Sequence, residues 1–467
     1  MVEVENIAPT TASAVFHRHL LHEPVLVDHA KGAYLYLKDG RRILDGCGGA
    51  AVISVGHARS EVVTALTEQL KTLSYVHSVA FANQAAEELA AILTKSADMA
   101  RAVFFSGGTE ALESSLKLVR QYHIEIGQPE RVNFIGRDRS YHGNSLATLG
   151  LARHRQRRAP YEALFAKNFY HVSAAYAYRY QLEKESEEKY VERLVNELEA
   201  KILELGSQTV AAFYAETIAG ATTGCVPAPQ GYFKGMKAVC DRYGVLLVLD
   251  EIMCGMGRSG KLHAWQWEGV QPDLQVVGKA MGGGFAPISA VLINEKVVNA
   301  FQAGTGAFNN RHTFQSHVIG CRSALEVMKL YEKEKLVEQC QERGQLLSNL
   351  LRARLELHPN VGNIRGRGLF WGVEFVQDSS TKACLPADVP FADLVEVECM
   401  NRGLIVYPGT KGTFDSYQGD HILISPPYTI AVEEIHFLVD TLVQAIDAAV
   451  DILSSKKKLD LYVAPHH

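Results

Sequence analysis

Two short apolar runs constrain this chain more than anything else in it. VLLVLD (245–250) and LQVVG (274–278) are continuous, rich in β-branched residues, and short. Asp250 closes the first, and Lys279 follows the second directly. Runs of this kind, bounded by glycines, read as strands buried on both faces, which occur in parallel sheets covered by helices. The connection between them, about 25 residues, is long enough for a crossover between parallel neighbours. Ligands in such sheets gather beyond the carboxyl ends of the strands. An acid and an amine are therefore expected to converge on one sheet edge.

The rest of the first 325 residues repeats the pattern. AVFFS (102–106), VNFIG (132–136), VAAFYAE (210–216) and ISAVLI (288–293) are further strands. Between them, TEALESSLKLVRQYH (109–123) has helical spacing, and residues 180–203 form a highly charged surface helix or pair of helices. Apolar residues also recur at helical spacing across 61–93. The fold class is α/β, with a mostly parallel sheet covered on both faces. Beyond residue 325 the pattern changes: a long helix over roughly 321–354, a strand pair in VGNIRGRGLFWGVEFV (361–376) and a final helix over 432–453. These predict a smaller α+β domain. The N-terminal hairpin GAYLYLKDGRRILDG (32–46), turning at Asp39-Gly40, is expected to join it. The expected division is an N-terminal segment 1–60, a large domain 61–325 and a small domain 326–467.

Composition narrows the partners. The 467 residues are 47% hydrophobic with a formal net charge of −5, which leaves no electrostatic footprint for nucleic acid or an anionic membrane. The one basic run, SSKKKLD (454–460), reads as a solvated tail. No apolar run approaches the roughly 20 residues of a membrane span. Eight cysteines lie scattered without a CxxC or metal-like spacing, and MVEVENIAPT carries acids where a targeting segment carries arginines. A cytoplasmic protein without a metal site is the expectation.

Four features converge on one chemistry. FFSGGTEA (104–111) runs from strand through Gly107, Gly108 and Thr109 into a helix, whose free N–H groups suit a phosphate; alone, it reads equally as a tight turn with a threonine cap. Tyr141, in RSYHGNS (139–145), offers a face for a planar ring, although a lone tyrosine is more often packing. With Asp250 and Lys279 these make a phosphate cup, an aromatic face, a carboxylate and an amine. Pyridoxal 5′-phosphate (PLP) requires all four: lysine binds its aldehyde, and a carboxylate keeps the ring nitrogen protonated. The glycines after the lysine, Gly282 to Gly284, read either as a turn or as room for the backbone beside it.

These residues resemble the class III, or omega, aminotransferases of the fold type I PLP enzymes over nearly the whole chain. The most specific segment is LLVLDEIMCGMGRSGKLHAWQWEGVQPDLQVVGKAMGGGFAPISAVL (246–292), with SGGTEA, YHG and AETIAGATTGCVPAPQGYF (215–233) in support. The resemblance implies a seven-stranded, mostly parallel large-domain sheet and a small domain made from both chain ends. It implies that Lys279 forms the internal aldimine and carries the proton, and that Asp250 pairs with the pyridine nitrogen. Ile252 would pack on the ring face opposite Tyr141, and Gly107, Gly108 and Thr109 would hold the phosphate. Glu216 would lie near the ring hydroxyl. Thr313, in RHTFQSH (311–317), would reach the phosphate of the neighbouring subunit, which implies a homodimer with shared sites.

His142 is expected to support by hydrogen bonding, Arg258 to be an exposed loop arginine without a catalytic part, and Tyr75 and Phe81 to line the entrance. Many family members that handle α-carboxylates carry an arginine three residues before Pro-Pro; here HILISPPY has Leu423. The implied activity is ping-pong transamination from an amine or omega-amino acid to a keto acid such as pyruvate, or to an aldehyde or ketone. An aminomutase, decarboxylase or racemase would use the same residues, and a non-catalytic PLP-fold binding protein remains open. A nicotinamide-dependent dehydrogenase is disfavoured, because no GxGxxG follows the first α/β strand.

Overall fold

The computed structural model describes residues 13–21, 23–409, 411–412 and 418–455. The acidic opening segment and most of the basic run 454–460 lie outside the described residues.

At the centre is a seven-stranded sheet in the order Arg101–Phe105, Ser289–Ile293, Leu274–Val277, Leu246–Asp250, Val210–Glu216, Asn133–Arg137 and Phe169–Val172. Leu246–Asp250 pairs in parallel with both neighbours, and Asp250 lies level with Glu216 on one side and Val276 on the other. Only Ser289–Ile293 runs against its neighbours. The seven strands and their mostly parallel arrangement match the expectation for the large-domain sheet.

Alternation of side chains explains why these strands are apolar throughout. Leu247 and Leu249 face one core with the helices Glu187–Leu205 and Tyr232–Tyr243, whereas Leu246 and Val248 face another with the helix Gly108–Glu125. A third and larger core joins Phe104, Ala290 and Leu292 to the helices Gln84–Ala97 and Val318–Glu334.

In the C-terminal part, Val361–Arg367, Phe370–Phe375, Asp420–Ile424 and Tyr407–Pro408 form an antiparallel sheet. The hairpin Tyr34–Leu37 and Arg42–Asp45 is extended by Val27–Lys31 on one edge and completed on the other by Leu404–Ile405. The two ends of the chain thus share a sheet.

Two helical expectations need correction. The 61–93 stretch is two helices, Ser60–Thr72 and Gln84–Ala97, the second started by Asn83, whose side chain accepts from the Ala86 N–H at 3.0 Å. The 321–354 stretch is also two, Val318–Glu334 and Leu336–Leu355, broken at Lys335, which takes a left-handed φ of 53°. No glycine or proline marks that break, so apolar spacing alone reads straight through it.

Candidate active site

The sheet geometry brings Asp250, Glu216 and Lys279 together. Asp250 is the last residue of its strand and is 5% exposed. Its Oδ2 accepts from His142 Nδ1 at 2.9 Å, and its Oδ1 accepts from the Ile252 backbone N–H at 3.0 Å. Because a carboxylate only accepts, this contact puts the Nδ1 proton on His142. His142 Nε2 is buried and has no partner. Glu216 is 6% exposed and spans the site: Oε1 accepts from the Tyr141 N–H at 3.0 Å and Oε2 from the Gly220 N–H at 2.9 Å. Burial raises its pKa, and the neighbouring Asp250 adds to the rise.

Lys279 lies just past the adjacent strand end, with a left-handed φ of 45°. A non-glycine residue pays roughly 1–2 kcal/mol for that conformation, of the kind held in place at functional sites. Burial brings its amine down to about 8; Asp250 and Glu216 oppose the shift, and Arg157 and Arg258 add to it. The turn behind it is tight. Gly283 and Gly284 have φ of 58° and 85°, and a Cβ on Gly282 would lie 2.7 Å from the Ala286 carbonyl. Ser54 and Tyr331 both donate to the Ala280 carbonyl at 2.9 Å. The glycine run therefore turns and packs against its surroundings, holding the lysine backbone from behind.

The helix Gly108–Glu125 points its N-terminus at the same region. Glu110 accepts the N–H groups of Ser106 and Gly107 at 3.0 Å each, and the first N–H groups of the helix, from Gly108 and Thr109, have no intrahelical acceptor. A Cβ on Gly107 would meet nothing within 4 Å, so space opens there. A Cβ on Gly108 would lie 2.6 Å from Ile252 Cδ1, so the glycine lets Ile252 close over the helix start. Thr109 Oγ1 donates to Asn144 Oδ1 at 3.0 Å and accepts from the Asn144 N–H at 3.2 Å, tying the helix to the loop that carries Tyr141. The donor set fits PLP: a desolvated amine, a buried carboxylate, an unpartnered imidazole nitrogen beside it, and free amides opening onto space.

Residues 15–446 match the family described as aminotransferase class-III. The chain belongs to the class III aminotransferases. This class III enzyme is 44% identical over 441 residues to an uncharacterised aminotransferase of Schizosaccharomyces pombe, covering 94% of this chain and 96% of that one. It is 33% identical over 470 residues to gamma aminobutyrate transaminase 3, chloroplastic, of Solanum lycopersicum, covering 97% and 86%. Among solved structures, the omega transaminase of Pseudomonas jessenii in complex with PMP superposes with a TM-score of 0.85 at 30% identity, covering 92% and 94% of the two chains. The protein is a PLP-dependent aminotransferase.

Other sequence expectations fare unevenly. His142 supports Asp250 by hydrogen bonding, as expected. Arg258 is not an exposed loop residue. It is fully buried, with Nη1 donating to the Leu369 and Pro426 carbonyls at 3.1 and 2.5 Å and Nη2 to Ile53 at 2.9 Å, while its guanidinium lies 4.6 Å from the Tyr428 ring centre. Its acceptors are backbone carbonyls from three distant segments, which no local pattern announces.

Thr313 is exposed, and its carbonyl accepts from Tyr75 Oη at 3.0 Å. Tyr75 also meets Phe314 edge-on, and Phe81 is 65% exposed. Glu251 went unremarked in the sequence. It accepts from Thr217, Gln275 and the N–H groups of Ala264 and Trp265 at 2.6–2.8 Å, fixing the loop beyond Asp250, and burial lifts its pKa to about 7.

Proposed function

We propose that this enzyme transfers an amino group from an amine or omega-amino acid to a keto acid such as pyruvate, or to an aldehyde or ketone, by a ping-pong reaction. The observation that carries the reading is the convergence of Lys279 with Asp250 and Glu216 at neighbouring strand ends, where burial lowers the amine to about 8 although both carboxylates oppose the shift. When bound, PLP supplies an aldehyde that captures amines and a ring that accepts the electron pair left on deprotonating the substrate carbon. Lys279 is the residue that binds the aldehyde. With its Nζ free and neutral, Lys279 would take the proton from the substrate carbon and hand it on within the site.

With the cofactor bound, Asp250 would hold a proton on the ring nitrogen, with His142 orienting its carboxylate. Tyr141 and Ile252 would cover the two ring faces, Gly107, Gly108 and Thr109 would hold the phosphate, and Glu216 would lie near the ring hydroxyl. The donor leaves as a carbonyl compound, and the acceptor runs the same steps backwards to leave as an amine.

The substrate class rests on Leu423. It is fully buried among Ile218, Cys225 and Phe370, so that position offers no cation for an α-carboxylate. Amines and amino acids with a remote acid suit the donor side, and the tomato relative's name adds 4-aminobutyrate to the donors to be assayed. The reading includes a cytoplasmic homodimer with Thr313 serving the neighbour's phosphate; the exposed setting of Thr313 supports it. Tyr75, bonded to Thr313, then serves the entrance of that same neighbouring site together with Phe81. It also includes the division into an N-terminal segment 1–60, a large domain 61–325 and a small domain 326–467, supported by the strand shared between the chain ends.

The test is product analysis with 1-phenylethylamine and pyruvate. Equal amounts of acetophenone and alanine are expected. Racemised amine, or amine consumed without a matching yield of alanine, would overturn the reading.

A further inference from the structure

The segment after Glu216 is a loop inside the core. Ile218–Ala219 and Val226–Pro227 pair antiparallel, and residues 220–225 turn between them, all of them buried. Loops ordinarily run over the surface, because buried backbone carbonyls need donors. Here the donors come from the C-terminal antiparallel sheet. Arg365 Nε donates to the Gly224 carbonyl at 2.8 Å and its Nη2 to that of Thr223. His421 Nε2 donates to the Ala221 carbonyl at 3.0 Å. Gly372 lets the two backbones meet, since a Cβ there would overlap the Gly224 carbonyl.

Arg365 is itself aimed. Its Nη1 lies 2.8 Å from Glu374 and donates to Asn363 Oδ1 at 3.2 Å, while its guanidinium covers the Tyr176 ring at 4.8 Å. Glu374 is fully buried and is met from the other side by Arg179 Nε at 2.6 Å and by the Tyr176 hydroxyl. The carboxylate is thus paired without Arg365, which turns two of its three nitrogens to the loop. The far side of the loop faces the site. The Gly220 N–H donates to Glu216 Oε2 at 2.9 Å, and Thr222 Oγ1 donates to the Arg139 carbonyl, two residues before Tyr141. Glu216 Oε1 in turn accepts the Tyr141 N–H at 3.0 Å.

We infer that Arg365 is a positioning residue of the active site: by holding residues 220–225 from behind, it fixes the Glu216 carboxylate and the Tyr141 loop. The inference rests on the transaminase reading above, which puts Glu216 near the ring hydroxyl and Tyr141 on a ring face. A planar guanidinium suits the task, because its fork holds two carbonyls and a carboxylate at set angles, which a lysine point charge does not. Misplacing a reacting group by about 1 Å costs about a hundredfold in rate, so a residue on another sheet can carry a large kinetic effect.

Three variants separate positioning from plain adhesion between the sheets. Arg365→Lys releases the loop from behind, and Thr222→Val cuts it from the Tyr141 segment without touching Glu374. Arg179→Lys disturbs Glu374 without touching the loop. In the proteins as purified, hydrogen exchange read by mass spectrometry should quicken by about fivefold or more in peptides covering Tyr141 and residues 217–225, in the first two variants and not in the third. With 1-phenylethylamine and pyruvate, kcat should fall by about tenfold or more in the first two, with both KM values within about threefold. Their visible circular dichroism from the bound cofactor should change, and Arg179→Lys should keep the wild-type spectrum and kcat within about twofold.

Unchanged exchange in Arg365→Lys and Thr222→Val would overturn the assignment, and so would equal effects in all three variants, which mark adhesion. Where Arg365→Lys yields no folded protein, Thr222→Val decides by the same readouts. A wild-type enzyme inactive with every amine and keto acid would overturn the transaminase reading, whereas the exchange measurement needs no turnover and still reports whether Arg365 holds the Tyr141 loop.

Discussion

Arg258→Met removes a buried guanidinium while keeping most of its volume. The substitution leaves the carbonyls of Leu369, Pro426 and Ile53 without their donor and takes the cation off the Tyr428 face. A hydrogen bond from a charged donor contributes about 1.5–3 kcal/mol net, and an orphaned buried acceptor costs about 1–3. The three bonds share one side chain and do not add independently. Methionine also avoids desolvating a cation, which offsets part of the loss. The expected destabilisation is about 2–4 kcal/mol.

Urea unfolding of the holoenzyme, followed by tryptophan fluorescence, reads it. With a slope of at least about 3 kcal/mol per molar urea for a chain of this size, the midpoint should fall by roughly 1 M. The midpoint is the quantity to compare, because chains with several cores rarely unfold in one step. A midpoint unchanged within about 0.2 M would refute the argument that these carbonyls depend on Arg258.

Four further outcomes follow from the geometry. Asp250→Asn should cut kcat by about a hundred- to a thousandfold in steady-state assays while leaving the fold intact, since it removes the charge that keeps the ring nitrogen protonated. Gly108→Val should weaken PLP binding by at least about tenfold in a fluorescence titration, because the new Cβ meets Ile252 Cδ1 at 2.6 Å. In the cofactor-free enzyme, Lys279 has a lowered pKa of about 8, so its neutral fraction is small at pH 7 and dominant by pH 9. The rate of PLP capture, followed by absorbance, should then climb about tenfold over that interval and level off, and would keep climbing towards pH 10 if the amine titrated normally. Lys335→Gly should stabilise by about 0.5–1 kcal/mol in thermal melts, because glycine accepts the left-handed φ of 53° without strain.

The site's core was legible because it follows from strand ends. Asp250 and Lys279 close neighbouring parallel strands, and apolar runs of this length announce such strands directly. The turn into the helix Gly108–Glu125 was equally readable, since glycines before an amphipathic run mark a helix start, whereas the ligand of that turn was not. Helix breaks were not. Lys335 interrupts a continuous apolar spacing with one left-handed residue, which carries no mark in the sequence.

Arg258 was hidden for a different reason. It is defined by carbonyls more than a hundred residues away on either side. It sits in an exposed-looking polar stretch, GMGRSG, where a solvated charge is the ordinary expectation. Glu251 illustrates the same limit: it follows Asp250 in sequence, yet its partners are amides and side chains from three separate segments.

The central claim is that Lys279 carries the cofactor. Borohydride reduction of the purified holoenzyme, followed by peptide mass spectrometry, tests it most directly. The account predicts that the visible band bleaches and that the peptide containing Lys279 alone gains the mass of the reduced cofactor, a gain that Lys279→Ala abolishes. Labelling at a different lysine, or an unlabelled Lys279 peptide after complete bleaching, would contradict it.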